Sequence, residues 1–282
     1  MNRKKTGKTK GAFSLLADLY VVLMYTLFYI PVAVMIAFSF NDAKRNFSWE
    51  GFTTGWYAKL FSFQNTTLWD ALVYSLVIAV FATLISTVVG VLGGIGLKKF
   101  EFRTKKFINM MIYVPIIVPE IVLAVAMLII FITVGIRMGM GTILIGHCTF
   151  CIPYAVVTIK GRISGDNETL AEASMDLGAN RIQTFLRVTI PSIMPGIMSS
   201  AFLCFTLSID DVVMSNMLAG ASQSTLPVLI LSLNRTGLTG DVNALTTVMI
   251  GLMVLALLLQ NLIRRAVGRR RERMLAQEPA KG

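Results

Sequence analysis

Residues 161–191 read GRISGDNETLAEASMDLGANRIQTFLRVTIP, a polar stretch of about thirty residues set between two apolar runs, Thr142 to Ile159 and Ile193 to Leu218. Asp166 or Asn167 can cap a helix that runs to Leu177, where Gly178 supplies a left-handed stop. A second short helix follows from Asn180 to about Val188. On the first helix Leu170, Ala173, Ser174 and Leu177 fall at i, i+3, i+4 and i+7, giving one narrow face of small and aliphatic residues flanked by Glu168, Glu172 and Asp176. Such a face lets another protein approach closely. A polar helical hairpin held between apolar runs of this kind belongs to a membrane protein rather than to a water-soluble globule.

The rest of the chain agrees. Of 282 residues 55% are hydrophobic and 15% charged, and the mean hydropathy is +0.70. A soluble domain has roughly 45–50% apolar and 25% charged residues. Apolar runs bounded by polar residues recur at Leu19 to Phe40, Ala71 to Leu97, Phe107 to Val134, Thr142 to Ile159, Ile193 to Leu218 and Ala244 to Ile263. About 20 helical residues cross a hydrocarbon core, so the expected fold is all-α and integral to the membrane, with six transmembrane helices. The first run follows a basic front and ends near a weak cleavage site at Ala37-Phe38-Ser39, but it exceeds the ~7–15 apolar residues of a signal peptide and reads as an uncleaved anchor.

Six spans place both termini on one side, and the cations say which. The N-terminal segment, Lys98 to Lys106, Lys160 to Arg187 and the tail from Arg264 to Lys281 together hold 21 of 26 Lys and Arg, leaving Lys44, Arg45, Lys59, Arg137 and Arg235 for the opposite face. The positive-inside rule puts both termini and the 160–191 loop in the cytoplasm. The organisation expected is a basic segment 1–18, a six-helix domain 19–263 and a basic tail 264–282. The net charge of +11 is accounted for by topology and contact with anionic membrane lipid, so nucleic acid is not a partner.

Other features carry less chemistry. His147-Cys148-x-x-Cys151 lies in an apolar run with no further Cys or His to complete a metal site, so no metal is expected and His147 reads as a satisfied buried imidazole. Gly90, Gly93, Gly94 and Gly96 follow no strand and read as close helix packing. The loop from Asn41 to Asp70 is rich in aromatics, which suits an interfacial belt or a docking surface for an extracytoplasmic partner.

Glu172-Ala173-Ser174, three residues, Gly178, nine residues, then Val188-Thr189-Ile190-Pro191 resembles the EAA loop of ABC importer permeases, with Ser174, Val188 and Ile190 as small or isosteric departures. The resemblance implies the MetI-like permease fold and a loop that docks in a groove of an ATP-hydrolysing subunit, making Leu170, Glu172, Ala173, Ser174, Leu177, Gly178 and Pro191 the coupling residues. Trp49 to Tyr57, Cys151 to Thr158, Phe205 to Val213 and Asp241 to Leu245 are together similar to the PotC-type permeases of spermidine/putrescine importers, from about Phe40 to about Leu262. That implies a bacterial inner-membrane subunit with two copies of a cytoplasmic ABC ATPase, a PotB-type sister permease and an extracytoplasmic polyamine-binding protein. ATP and Mg would sit on the ATPase, since this sequence has no phosphate-binding Gly-x-x-x-x-Gly-Lys-Ser/Thr loop, no cofactor of its own and no catalytic residues.

Three carboxylates lie at or near membrane depth: Glu120, Asp210 and Asp211. A charge at the centre of a lipid-embedded helix costs at least ~2.5–3.5 kcal/mol, so each is expected to face the protein or a water-filled route. Polyamine ammonium groups favour carboxylates, which makes these three the expected substrate path, Asp210 and Asp211 foremost because they match the subfamily motif. The competing role for the Asp pair is a structural cap or pairing with Arg235 or a partner. Other readings of the chain are an importer for another organic amine or ferric iron, a proton- or sodium-coupled carrier, which leaves the patterned loop unexplained, and an intramembrane aspartyl hydrolase. The last is disfavoured because adjacent residues project about 100° apart on a helix.

Overall fold

In the computed structural model the described residues are 12–43, 48–63, 66–163, 165–220, 224–234, 237, 239–255 and 258. The chain divides into two compact units, 66–232 and the flanking segments 1–65 with 233–282. Among the described residues the secondary structure is helical, apart from one isolated antiparallel bridge between Asn41 and Phe52.

The central unit carries α3 (Thr66–Lys99), α4 (Lys105–Ile117), α5 (Glu120–Val134), α6 (Met140–Lys160), α7 (Gly165–Asp176), α8 (Arg181–Thr184), a π-helical turn (Phe185–Thr189), α9 (Ile190–Ile209), α10 (Val213–Leu218) and α11, which begins at Leu226 and runs to Asn234. Its scaffold is α3, α6 and α9 packed against one another. Glycine makes the α3–α6 contact close: a Cβ on Gly90 would overlap Ala155, and one on Gly94 would lie 3.1 Å from the Ile159 side chain. At the α6–α9 contact, Cys151 and Cys204 each point a thiol at the other's carbonyl, at 3.6 and 3.5 Å. The core gathers Ile78, Phe131, Ile143, Phe150, Met214 and Leu218 around these crossings.

Two of the expected spans are not continuous. Phe107 to Val134 is not one helix but α4 and α5, bent by 107° at Val118 and Pro119. Val118 is extended (ψ 132°) because a residue before proline is disfavoured in the α region. Ile193 to Leu218 likewise stops at Ile209 and restarts at Val213. Among the described residues four helices are long and apolar enough to cross a membrane, five if α4 and α5 form one broken span. Of the sixth expected run, a helix over Gly240–Leu255 is described; the remainder to Ile263 apart from Leu258, like the basic tail, residues 1–11 and Arg235, lies outside the described residues.

The flanking unit contains α1 (Ala12–Phe38), α2 (Gly55–Phe61) and α12 (Gly240–Leu255). The 18-residue apolar window of α1 has none of its residues buried, as suits a helix solvated by lipid or a second protein. The aromatic loop is tied down by Asn41, whose Nδ2 donates to Ser48 O (2.6 Å) and whose Oδ1 accepts from Glu50 N (2.9 Å). Trp56 Nε1 donates to Asn41 O (2.7 Å), and a Cβ on Gly240 would overlap the Trp56 indole, so this aromatic builds the fold. Trp49, Phe52, Phe61 and Phe63 stay exposed.

Candidate functional site: a carboxyl-lined cavity and a polar helical hairpin

The two interruptions meet. Pro119 directs the chain into α5 with Glu120 in its first turn, where the helix dipole favours a carboxylate. On the facing side α9 ends and Asp210 and Asp211 occupy the joint before α10. Glu120, Asp210 and Asp211 line one cavity of about 520 Å³, together with Pro115, Tyr154, Thr206 and apolar neighbours. All three path residues expected from sequence are therefore brought together by the fold.

Their environments differ. Glu120 and Asp210 are exposed, whereas Asp211 is buried. Asp211 Oδ2 accepts from Ser215 N at 2.7 Å and Oδ1 from Met214 N at 3.3 Å, which caps the first turn of α10. Oδ2 also meets His147 Nε2 at 3.1 Å, and both side chains are 1% exposed. The imidazole reaches Ser208 Oγ with Nδ1 (2.6 Å) and Ser215 Oγ with Nε2 (3.1 Å). The carboxylates open to the cavity are thus Glu120 and Asp210, with Asp211 held behind them. His147 was legible as a satisfied imidazole, but its partner, 64 residues away, carried no local signal.

The second feature is the α7–α8 hairpin. Its turn is a Schellman motif: Ala179 N donates to Ser174 O (3.1 Å) and Gly178 N to Met175 O (2.9 Å), with Gly178 at φ +93°. Asn180 and Gln183 exchange reciprocal side-chain-to-backbone bonds of 2.8 and 3.1 Å that start α8. The first helix is Gly165–Asp176, starting ahead of the expected cap at Asp166 or Asn167 and ending one residue before Leu177; the side chains of Asp166, Asn167 and Glu168 lie outside the described residues. Leu170 (55%), Leu177 (90%), Ile182 (71%) and Leu186 (59%) are open to solvent, and Glu172 and Ala173 are exposed beside them. Ser174 turns inward to Thr184 Oγ1 at 3.3 Å. Pro191 then forces the π turn: lacking an N–H, it cannot bond Arg187 O, and Ile190 N bonds Phe185 O, five residues back. The expected Asn180–Val188 helix is therefore corrected to α8 plus a π turn, running without a break into α9.

Residues 86–273 match the family model described as "Binding-protein-dependent transport system inner membrane component". The chain is 39% identical to the spermidine/putrescine transport system permease protein PotC of Haemophilus influenzae, over 89% of this chain and 96% of that one. It is 33% identical to the putrescine transport system permease protein PotI of Escherichia coli K12, over 82% and 84% respectively. Its fold is similar to a chain of a bacterial ABC transporter involved in import of the acidic polysaccharide alginate, with a TM-score of 0.66 at 16% identity, covering 88% of this chain and 95% of that one. With the all-helical MetI-like fold and its patterned hairpin, these likenesses show that the chain belongs to the inner membrane components of binding-protein-dependent transport systems, and is a transport subunit of the ABC importer type.

Proposed function

We propose that this subunit carries polyamines, spermidine or putrescine, inward across a bacterial inner membrane, with both termini and the α7–α8 hairpin in the cytoplasm. The observation that carries the cargo reading is that two exposed carboxylates, Glu120 and Asp210, line one cavity between interrupted apolar runs. A flexible polycation offers each of them an ammonium group, and a charge-assisted bond of this type contributes ~1.5–3 kcal/mol. Tyr154 and Thr206 add neutral hydrogen-bonding groups, and the apolar wall accommodates methylene spacers. Asp211 serves as the cap and support behind them. The relatives named for spermidine and putrescine transport point the same way.

Energy enters at the hairpin. Its exposed Leu170, Ala173 and Leu177 present an apolar strip to a cytoplasmic ABC ATPase, which holds the ATP and Mg; this chain binds no cofactor. Glu172 borders that strip, and Gly178 and Pro191 set the angle at which it is presented. Two ATPase copies closing on ATP would draw the docked hairpins together. Because α8 continues through the π turn into α9, that displacement reaches the Ile209–Val213 joint and the carboxylates beside it. A PotB-type sister permease supplies the other half of the path, and an extracytoplasmic polyamine-binding protein delivers the cargo. Co-purification from membranes in mild detergent, followed by ATPase assays with and without spermidine and the binding protein, tests this directly. The expected result is a complex whose hydrolysis rises with the loaded binding protein. A chain that purifies without an ATPase would refute the reading.

A further inference from the structure

The His147 cluster is not used by the coupling scheme above, yet its imidazole is buried and bonded to three side chains. A single buried imidazole bonds three residues that straddle the gap in the fifth run: Ser208 in the last turn of α9, Asp211 in the joint, and Ser215 in α10. His147 stands on α6, which runs unbroken from Met140 to Lys160 and packs against both α3 and α9. A continuous helix thus holds a discontinuous one at the point where the latter changes direction. Backbone groups freed at such a joint need partners other than the helix's own, from side chains or from the cavity the joint lines. Thr142, one turn earlier on α6, does the same at the far end of α10 by donating to Leu218 O at 2.8 Å.

We infer that His147 is a positioning residue of the transport path: by clamping Ser208, Asp211 and Ser215 it fixes the α9–α10 joint, and so sets where the neighbouring Asp210 carboxylate meets cargo opposite Glu120. The inference rests on the polyamine reading for the word cargo, while the clamp itself rests on the geometry alone. Asp211 Oδ2 takes two bonds, from Ser215 N and from His147. Without the imidazole that buried carboxylate has one partner fewer and the joint loses its tie to α6. Asp210 is the next residue along the same turn, and any rotation of Asp211 moves it.

The test uses the assembled transporter in proteoliposomes, with rates normalised to protein in the membrane. His147→Ala is expected to reduce spermidine uptake about 10- to 100-fold, the loss of a hydrogen bond to a charged group. His147→Gln, which keeps an N–H donor at similar reach, is expected to restore most of it. Adding Asp211→Asn to His147→Ala should cost little more than either change alone, since residues acting through one contact are not additive. The spermidine-to-putrescine uptake ratio should shift as well, which a residue needed only for folding would not cause. A cargo-independent readout accompanies these: the maleimide labelling rate of Val212→Cys, in the joint, measured in a Cys148→Ala background with and without His147→Ala. A change of several-fold in that rate supports the clamp even if the wild type proves to carry something other than polyamine. An unchanged labelling rate, or a His147→Ala transporter with wild-type uptake and selectivity, overturns it. So does a His147→Gln variant as impaired as His147→Ala at equal membrane level.

Discussion

Glu120, Asp210 and Asp211 are chemically alike and energetically distinct. Asp211 already accepts two backbone N–H bonds and an imidazole contact, whereas Glu120 and Asp210 keep oxygens open to the cavity. Neutralising an open carboxylate should weaken cargo without harming the fold: Glu120→Gln and Asp210→Asn are each expected to raise the KM for cargo about tenfold or more, at normal protein level. Asp211→Ala leaves His147 and the start of α10 without their partner, so the expected effect is on stability, a loss of about 3–5 kcal/mol seen as a lowered melting temperature in detergent. Gly178 sits at φ +93° with open space around its Cβ position, so the cost of Gly178→Ala is backbone strain alone, about 1–2 kcal/mol. That change should leave the protein in the membrane and reduce cargo-stimulated ATPase activity. The three acids were legible in sequence because a carboxylate in an apolar run is costly and hence conspicuous. Their division of labour was not, because it depends on His147, 64 residues away in the chain, which only the tertiary packing brings to Asp211.

At the scale of elements, hydropathy located the apolar runs and missed the joints within them. Residues 107–134 are apolar apart from Asn109, Glu120 and Thr133, and a window average is blind to a backbone turn whose residues are themselves Ile, Val and Pro. The two prolines, Pro115 and Pro119, were the available signal; the second sits at the break and the first inside α4. The hairpin was more legible, since Gly178 and Asn180 are local chemistry that acts where it stands. The π turn before Pro191 was hidden, because proline says that a bond is missing without saying how the chain adjusts. It gives a prediction of its own: Pro191→Ala restores the N–H and allows the turn to tighten from five-residue to four-residue bonds. Tightening rotates everything N-terminal to it by an appreciable part of the ~100° per residue of an α-helix. The apolar strip of α7 would then face away from its groove. Uptake should fall several-fold or more at unchanged membrane level, read as ATP hydrolysis no longer stimulated by loaded binding protein.

At the scale of the whole molecule, one continuous helical rod, Arg181–Ile209, joins the proposed energy-receiving hairpin to the acid-lined cavity. The proposed cytoplasmic placement of the hairpin, drawn from the positive-inside rule, predicts that Leu177→Cys is labelled by a membrane-impermeant thiol reagent in inside-out vesicles and protected in right-side-out ones. The opposite pattern would invert the topology and leave the hairpin out of reach of any ATPase. The central claim is that hydrolysis on a separate subunit drives polyamine through this chain's cavity. The most direct measurement is accumulation of labelled spermidine by the reconstituted complex supplied with loaded binding protein. The account predicts accumulation that requires ATP, survives a protonophore and is lost in the Glu120→Gln/Asp210→Asn double variant. Accumulation that persists without ATP and collapses with the protonophore would contradict it.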